Sequence, residues 1–309
     1  MHLLVPFGSA LSEAGRHTLN DLHLPHLDRL LGRLQPGERL GTDEYSLTPP
    51  HEAALAAARG WQGGAGTLPF AAHAARADGI EVLDLAWGLL TPVHWHVGRD
   101  EVVLADPGAL QLDEAASRAL FDAVRDLFES EGFALAWGAP LRWYAAHESL
   151  VDLPSASLDR VIGRNVDRWL PAGRGARLLR RLQNEVQMLL YNHPINEARE
   201  AADQLPVNSF WLSGCGRWQP GEGAAVEVDS RLRTALLSED WTGWADAWRA
   251  LDAGPLAALA AAAERGEAVS LTLCGERFAQ RFEARHESPW ARLARRWRHP
   301  SPAAVLESL

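Results

Sequence analysis

Histidine, asparagine and arginine recur at fixed intervals in one stretch of this chain, Glu185 to Arg217, which reads EVQMLLYNHPINEAREAADQLPVNSFWLSGCGR. Its fixed points are His193-Pro194, Asn196, Arg199, Pro206, Asn208, Trp211, Gly214, Gly216 and Arg217. A helix, a Pro stop, an Asn start and a strand ending in Gly-x-Gly follow one another within about thirty residues, an order that delivers backbone amides and an arginine to one rim. If Asn196 is the N-cap, Arg199 lies in the first helical turn. Together with Gly214 to Gly216 it could grip an anion, because helix starts and the ends of parallel strands concentrate free amide donors. The competing reading has Asn196 and Asn208 satisfying backbone groups at a tight corner, with Arg199 paired to Glu200 or Asp203.

His94-Trp95-His96 places two imidazoles on one face of a strand, a geometry that can chelate a metal or meet a phosphate. The plain alternative is a half-exposed strand with two polar side chains. His51 with Glu52 reads as a ligand pair or as a polar helix start. Cys215, between two glycines, reads as a reactive thiol or as a small tolerated residue, and Cys274 as buried. Trp241, Trp244 and Trp248 recur at the spacing of one buried helix face. The tail PWARLARRWRHPSPAAVLESL gathers Arg292, Arg295, Arg296, Arg298 and His299 around Trp290, Leu293 and Trp297. A docked terminal helix is the first reading of that tail and a nucleic-acid or protein contact the second.

Elements must position these groups. His2 to Phe7 is an apolar run ended by Gly8-Ser9, a buried first strand. Pro25 opens a helix on which Leu27, Leu30, Leu31 and Leu34 share a face, closed by Pro36-Gly37. An Ala-rich helix follows Thr48-Pro49-Pro50 and ends at Gly60. VHWHV and EVVLA are strand-like, Asp106-Pro107-Gly108 is a turn, and a helix spans Asp113 to Phe128. ALAWGAPLRWYAA supplies further strand material. The helix Ala176 to Tyr191 carries Leu178, Leu182, Val186 and Leu189 on one stripe and stops at Pro194; VNSFWL is a strand, and AVSLTLC a fully buried one. Alternating strands and helices imply an α/β fold, a mainly parallel sheet flanked by helices. The expected organisation is a core of 1–88 and 164–309 with an inserted α+β subdomain, 89–163.

The 309 residues suffice for such an arrangement. A net charge of −10 argues against general nucleic-acid or anionic-membrane binding. All 30 basic residues are Arg, which removes Schiff-base chemistry. Two cysteines exclude a disulfide framework and a thiolate zinc cage, and fit a reducing cytoplasm. The first residues, MHLLVPFGSALSEAG, do not read as a signal peptide, and no apolar run is long enough for a membrane span.

The order of elements and the residues Leu189 to Arg217 resemble the archaeal-type, cofactor-independent phosphoglycerate mutases of the alkaline phosphatase superfamily. That family has Leu, two residues, His-Pro-Val-Asn, two residues, Arg, then Pro-Ala-Asn and Trp before Gly-x-Gly and a basic residue; here Ile195 stands for Val and Val207 for Ala. LPHLDRLL, LADPGALQLDEA and the segment from Trp244 to Glu276 resemble further parts. The pattern is also similar to a divergent proteobacterial group labelled phosphoglycerate mutase or RpfE-type regulatory protein. The resemblance implies an alkaline-phosphatase-like core and a substrate-facing role for Arg142, and it puts His94 near an arginine that the mutases use on substrate.

It also implies metal ligands that are not here. Phe7-Gly8 stands where the family has Asp-Gly, and Gly275-Glu276 where it has Asp-His. Near the expected nucleophilic serine the chain reads Pro49-Pro50-His51-Glu52, with Ser46 and Thr48 the nearest hydroxyls, so no nucleophile is assigned. The expectation is a protein without a phosphoryl-transfer metal centre and without a cofactor. It would bind a small phosphorylated or anionic ligand, or a protein partner, through His94, His96, Arg142, His193, Asn196, Arg199, Asn208, Gly214, Gly216 and Arg217. The rival is an active mutase that assembles a changed divalent-metal site from His51, His94, His96 and Glu276.

Overall fold

The structure, a computed structural model, describes residues 1–173, 175–221, 223, 225–284 and 299–309. Trp290, Arg292, Leu293, Arg295, Arg296, Trp297 and Arg298 of the basic tail lie outside the described residues. In chain order the elements begin with β1 (His2–Val5), α1 (Glu13–Asp21), α2 (Pro25–Leu31), β2 (Gln35–Gly41), α3 (Pro50–Arg59) and α4 (Phe70–Ala77). Next come β3 (Ala86–Val93), β4 (Trp95–Val97), β5 (Val102–Leu104), α5 (Glu114–Glu129), β6 (Ala134–Ala139) and β7 (Arg142–Ala146). These lead to α6 (Leu158–Val161), α7 (Ala176–Tyr191), α8 (Pro194–Ala201) and β8 (Ser209–Arg217). The last are β9 (Glu227–Val228), α9 (Arg233–Leu237), α10 (Trp241–Leu251), α11 (Ala257–Glu264), β10 (Ser270–Cys274), β11 (Phe278–Glu283) and α12 (Pro302–Glu307).

The chain divides into two compact units: Met1–Tyr45, Pro49–Gly60 and Gly221–Leu309 form the first, Ser46–Thr48 and Trp61–Pro220 the second. The stretch 89–163, expected as an insert, falls inside the second unit, together with α7, α8 and β8. β8 belongs there because it pairs with β3 from Ala86↔Arg217 to Val93↔Ser209.

Among the described residues, the first unit holds a sheet in the order β2-β11-β10-β1-β9. β1 pairs in parallel with β10 and with β9, whereas β10-β11 and β11-β2 are antiparallel. The expectation of a mainly parallel sheet therefore gives way to a mixed one. The connection from Cys274 to Phe278 is too short for a crossover, so the next strand must return antiparallel. β2 escaped notice because QPGERLG is poor in strand formers; as an edge strand it tolerates Pro36. Alternation along β1 sends Leu3 and Val5 to a core shared with Leu27, Leu30, Trp244, Trp248 and Leu259, and Leu4 to the other face with Ala54 of α3. The Trp stripe of α10 is thus core, as its spacing required. Asp252 closes α10's C-terminus and, buried, accepts the His26 and Leu27 amides at 3.2 and 2.8 Å, capping α2 where Leu24 cannot.

The sheet of the second unit runs β6-β7-β3-β8 and is antiparallel throughout. Trp143 and Ala145 of β7 face α5 and α7, with Phe121, Val124, Leu182 and Val186; Tyr144 and Ala146 face α4, with Ala71, Ala72 and Ala75. Among the described residues no helix is long and apolar enough to cross a membrane.

Trp244 is fully buried and its indole Nε1 donates to the Phe7 carbonyl at 3.0 Å. Trp244→Ala is expected to destabilise the first unit by about 3–5 kcal/mol. A urea unfolding midpoint within error of the parent would contradict this packing.

Candidate functional site

The segment Leu205 to Asn208 enters β8, and side chains of the candidate motif hold its backbone. α8 begins at Pro194, so its N-cap is His193, whose Nδ1 accepts from the Ile195 amide at 3.3 Å; the expected cap, Asn196, lies one turn inside. Asn196 is buried, and its Nδ2 donates to the carbonyls of Leu190 (2.9 Å) and Val207 (2.7 Å), while its Oδ1 accepts from the Val207 amide at 2.9 Å. Arg199, also buried, donates through Nε to the Leu205 carbonyl at 2.9 Å and through a terminal nitrogen to the Leu110 carbonyl. Burial lowers its pKa, with Asp113 acting the other way. Asn208 accepts the Trp95 amide at 2.8 Å and donates to the Trp95 carbonyl at 2.9 Å, serving as a strand neighbour made from a side chain.

The reading of Asn196 and Asn208 as corner residues is the one their bonds match. Arg199 differs from both readings, since it binds carbonyls where Glu200 or Asp203 had been expected. A buried guanidinium saturating carbonyls serves where loop amides and carbonyls would otherwise lose water without replacement. Gly214 has φ +63°, and a Cβ there would lie 2.9 Å from the Ala71 nitrogen; one at Gly216 would lie 3.3 Å from Pro69 Cα. These glycines let the start of α4 approach β8. The Gly-x-Gly stretch lies within an antiparallel strand, so the amide concentration expected at a parallel strand end is absent from it. Cys215 between them is buried, its thiol pushed up to about 12, so it is no nucleophile at neutral pH; burial also raises Cys274.

His94 is half-buried and its Nδ1 meets the Pro206 carbonyl at 2.8 Å. A carbonyl only accepts, so Nδ1 carries the proton and Nε2 presents a lone pair. That Nε2 stands 3.2 Å from Nδ1 of His96, which is exposed. Burial lowers the His94 pKa most; the Pro206 bond and Glu200 oppose it, and His96 adds to it.

Arg142 and Arg217 have acidic partners. Arg142 binds Asp78 through two bonds of 2.9 Å, and the Tyr144 hydroxyl donates to the same carboxylate at 2.7 Å. The Arg142 hydrogen bonds hold Asp78 below the usual carboxylate range, and burial followed by the Asp78 bond raises Tyr144. Gly138 makes room: a Cβ there would meet Asp78 Oδ2 at 2.3 Å. Asp78 and Tyr144 carried no signal in the sequence, since Asp78 is 64 residues from Arg142. Arg217 binds Glu148 at 3.0 and 2.9 Å and the Asp84 carboxylate at 3.2 Å.

In the first unit, β1 and β10 end side by side, with the Gly8 amide bound to the Cys274 carbonyl at 2.7 Å. Phe7 takes φ +60°, a left-handed conformation costing a residue with a side chain about 1–2 kcal/mol. It is buried, its ring 4.8 Å from that of His51 in the first turn of α3. Glu276 accepts the Leu11 amide at 2.8 Å. A Cβ on Gly275 would lie 2.6 Å from the Leu309 carbonyl carbon. An aromatic ring, a glycine and a carboxylate engaged on backbone do not fit a centre for two hard cations, which needs several convergent oxygens or imidazoles. Thr48, one of the candidate hydroxyls, is buried and accepts the Gly66 amide at 2.7 Å.

No family model matches the chain. Over 123 residues, 38% of this chain, it is 28% identical to a Geobacter sulfurreducens protein described as a probable 2,3-bisphosphoglycerate-independent phosphoglycerate mutase. The match spans 30% of that protein's length. Two solved structures are similar at low identity. A cofactor-independent phosphoglycerate mutase from Thermoplasma acidophilum has a TM-score of 0.38 and 14% identity over 92% of this chain and 89% of that one. The PH0037 protein of Pyrococcus horikoshii has 0.43 and 13%, over 92% and 87%. The chain thus has weak sequence similarity to a probable 2,3-bisphosphoglycerate-independent phosphoglycerate mutase.

Asn196→Ala removes three hydrogen bonds from buried backbone groups and is expected to cost about 2–4 kcal/mol. A ligand-binding Asn196 without that structural duty would leave chemical denaturation unchanged. Asp78 has a folded pKa below its unfolded one, so its stabilisation is complete above about pH 4 and is lost as pH falls through the folded value. Asp78→Asn should therefore be less stable than the parent at pH 7, with the gap narrowing at pH 3; an equal gap at both would refute the assignment.

Proposed function

We propose that this chain is a phosphoglycerate-mutase-like protein without metal-dependent phosphoryl transfer, which acts by binding a small phosphorylated or otherwise anionic molecule in a regulatory role. The observation that carries the reading is the filled carboxyl end of β1 and β10, where Phe7 packs on His51 and Glu276 is tied to the Leu11 amide. Phosphoryl transfer needs cations to neutralise charge on the transferring group, and Phe7, Gly8 and Gly275 offer them no ligand. His193, Asn196, Arg199, Asn208, Gly214 and Gly216 shape the second unit. Arg142 and Arg217 present part-exposed guanidinium faces, and an incoming anion would take the place of Asp78 or Glu148.

The 28% identity to a probable mutase favours a second reading, an active enzyme. Its changed metal site would be assembled from His51, His94, His96 and Glu276. The two readings part in one assay, conversion of 3-phosphoglycerate with added Mn²⁺ or Mg²⁺. No turnover above the blank is expected, alongside a rise in melting temperature with at least one phosphorylated metabolite that Arg217→Ala reduces. Metal-dependent turnover abolished by His51→Ala would establish the enzyme instead.

A further inference from the structure

We propose that His94 and His96 form a two-imidazole site for a divalent transition cation of borderline softness, Zn²⁺ or Cu²⁺. The site does not depend on the reading above. His94 Nε2 and His96 Nδ1 face each other at 3.2 Å. A cation about 2.05 Å from both nitrogens would see them at an angle of about 100°, close to the tetrahedral value that Zn²⁺ takes.

The arrangement is held in place before any ion arrives. His94 donates Nδ1–H to the Pro206 carbonyl at 2.8 Å, the outer bond that fixes tautomer and ring orientation in histidine ligands. Trp95, between the two histidines, has both its amide and its carbonyl bound by Asn208. His96 continues into β4 and lies opposite Val103 of β5. The backbone on either side of each imidazole is therefore fixed, and only the exposed His96 ring has to adjust. Without metal, His96 Nδ1–H donates to His94 Nε2. On binding, the His96 ring proton moves to Nε2, so that both facing nitrogens offer lone pairs, and water completes the coordination. Glu200 acts on His94 electrostatically and contributes negative charge to its surroundings. Imidazole nitrogens select Zn²⁺ or Cu²⁺ over Mg²⁺ and Ca²⁺, which prefer oxygen.

The test is calorimetric titration of the chelator-treated full chain with Zn²⁺ in excess Mg²⁺, together with ring ¹⁵N shifts of the histidines. One Zn²⁺ per chain should bind at these residues, shifting His94 Nε2 and His96 Nδ1. His96→Ala, which keeps the Pro206 bond and the corner, should weaken binding roughly tenfold or more. His17→Ala, on the exposed face of α1, should leave it unchanged. Zn²⁺ affinity undiminished in His96→Ala, unmoved ring nitrogens at saturation, or no binding would overturn the site.

Discussion

The carbonyls and amides of Leu205 to Asn208 have to be bound by something, and the second unit is arranged around that demand. A chain turning from α8 into a sheet makes few ladder bonds at the corner, where the Asn208 amide reaches the Val93 carbonyl at 3.1 Å, and Val207 is buried. Each buried polar group left unmade would cost about 1–3 kcal/mol. Arg199 takes Leu205, His94 takes Pro206 and Asn196 takes both groups of Val207. Asn208 carries its own side chain across to Trp95. These groups come from α8, from the β3–β4 junction and from the segment itself. They fix the register in which β8 meets β3, and the Gly214 and Gly216 contacts with the start of α4 follow from that register.

That arrangement changes what the resemblance to mutases at Leu189 to Arg217 means. Residues that recur together because they complete one another's hydrogen bonds report a backbone path. The chemistry of a relative need not travel with them. The motif can therefore be intact while Phe7-Gly8 and Gly275-Glu276 differ, since the two sets lie in different units and satisfy different needs.

Local elements were legible. α7 spans the expected Ala176–Tyr191, although its buried face is Leu179, Leu182, Val186 and Leu190 and leaves the expected Leu189 exposed; the Trp stripe of α10 was core, and α5 begins after its cap Asp113, where a helix was expected. Pairing was not. Whether β8 lies in a parallel or antiparallel sheet depends on a partner more than a hundred residues away, and nothing in VNSFWL records it. The partners of Arg142 and Arg217 were hidden for the same reason, because Asp78 and Glu148 look like ordinary surface acids. β2 was missed because an edge strand needs so little from its side chains. The residue types of the motif were legible, whereas their targets were backbone atoms, which every residue supplies and no sequence distinguishes.

His94 shows how a structural duty can prepare a chemical one. Holding the Pro206 carbonyl requires the proton on Nδ1, which leaves Nε2 as an acceptor directed outward. Partial burial favours the neutral ring and lowers its pKa, because part of the water that would solvate an imidazolium is displaced. A fixed, neutral imidazole with an outward lone pair is what a borderline cation binds. Asn208, by locking Trp95, places His96 beside it. The corner that engages the side chains of Asn196 and Arg199 on backbone is thus the same one that makes the histidine pair available.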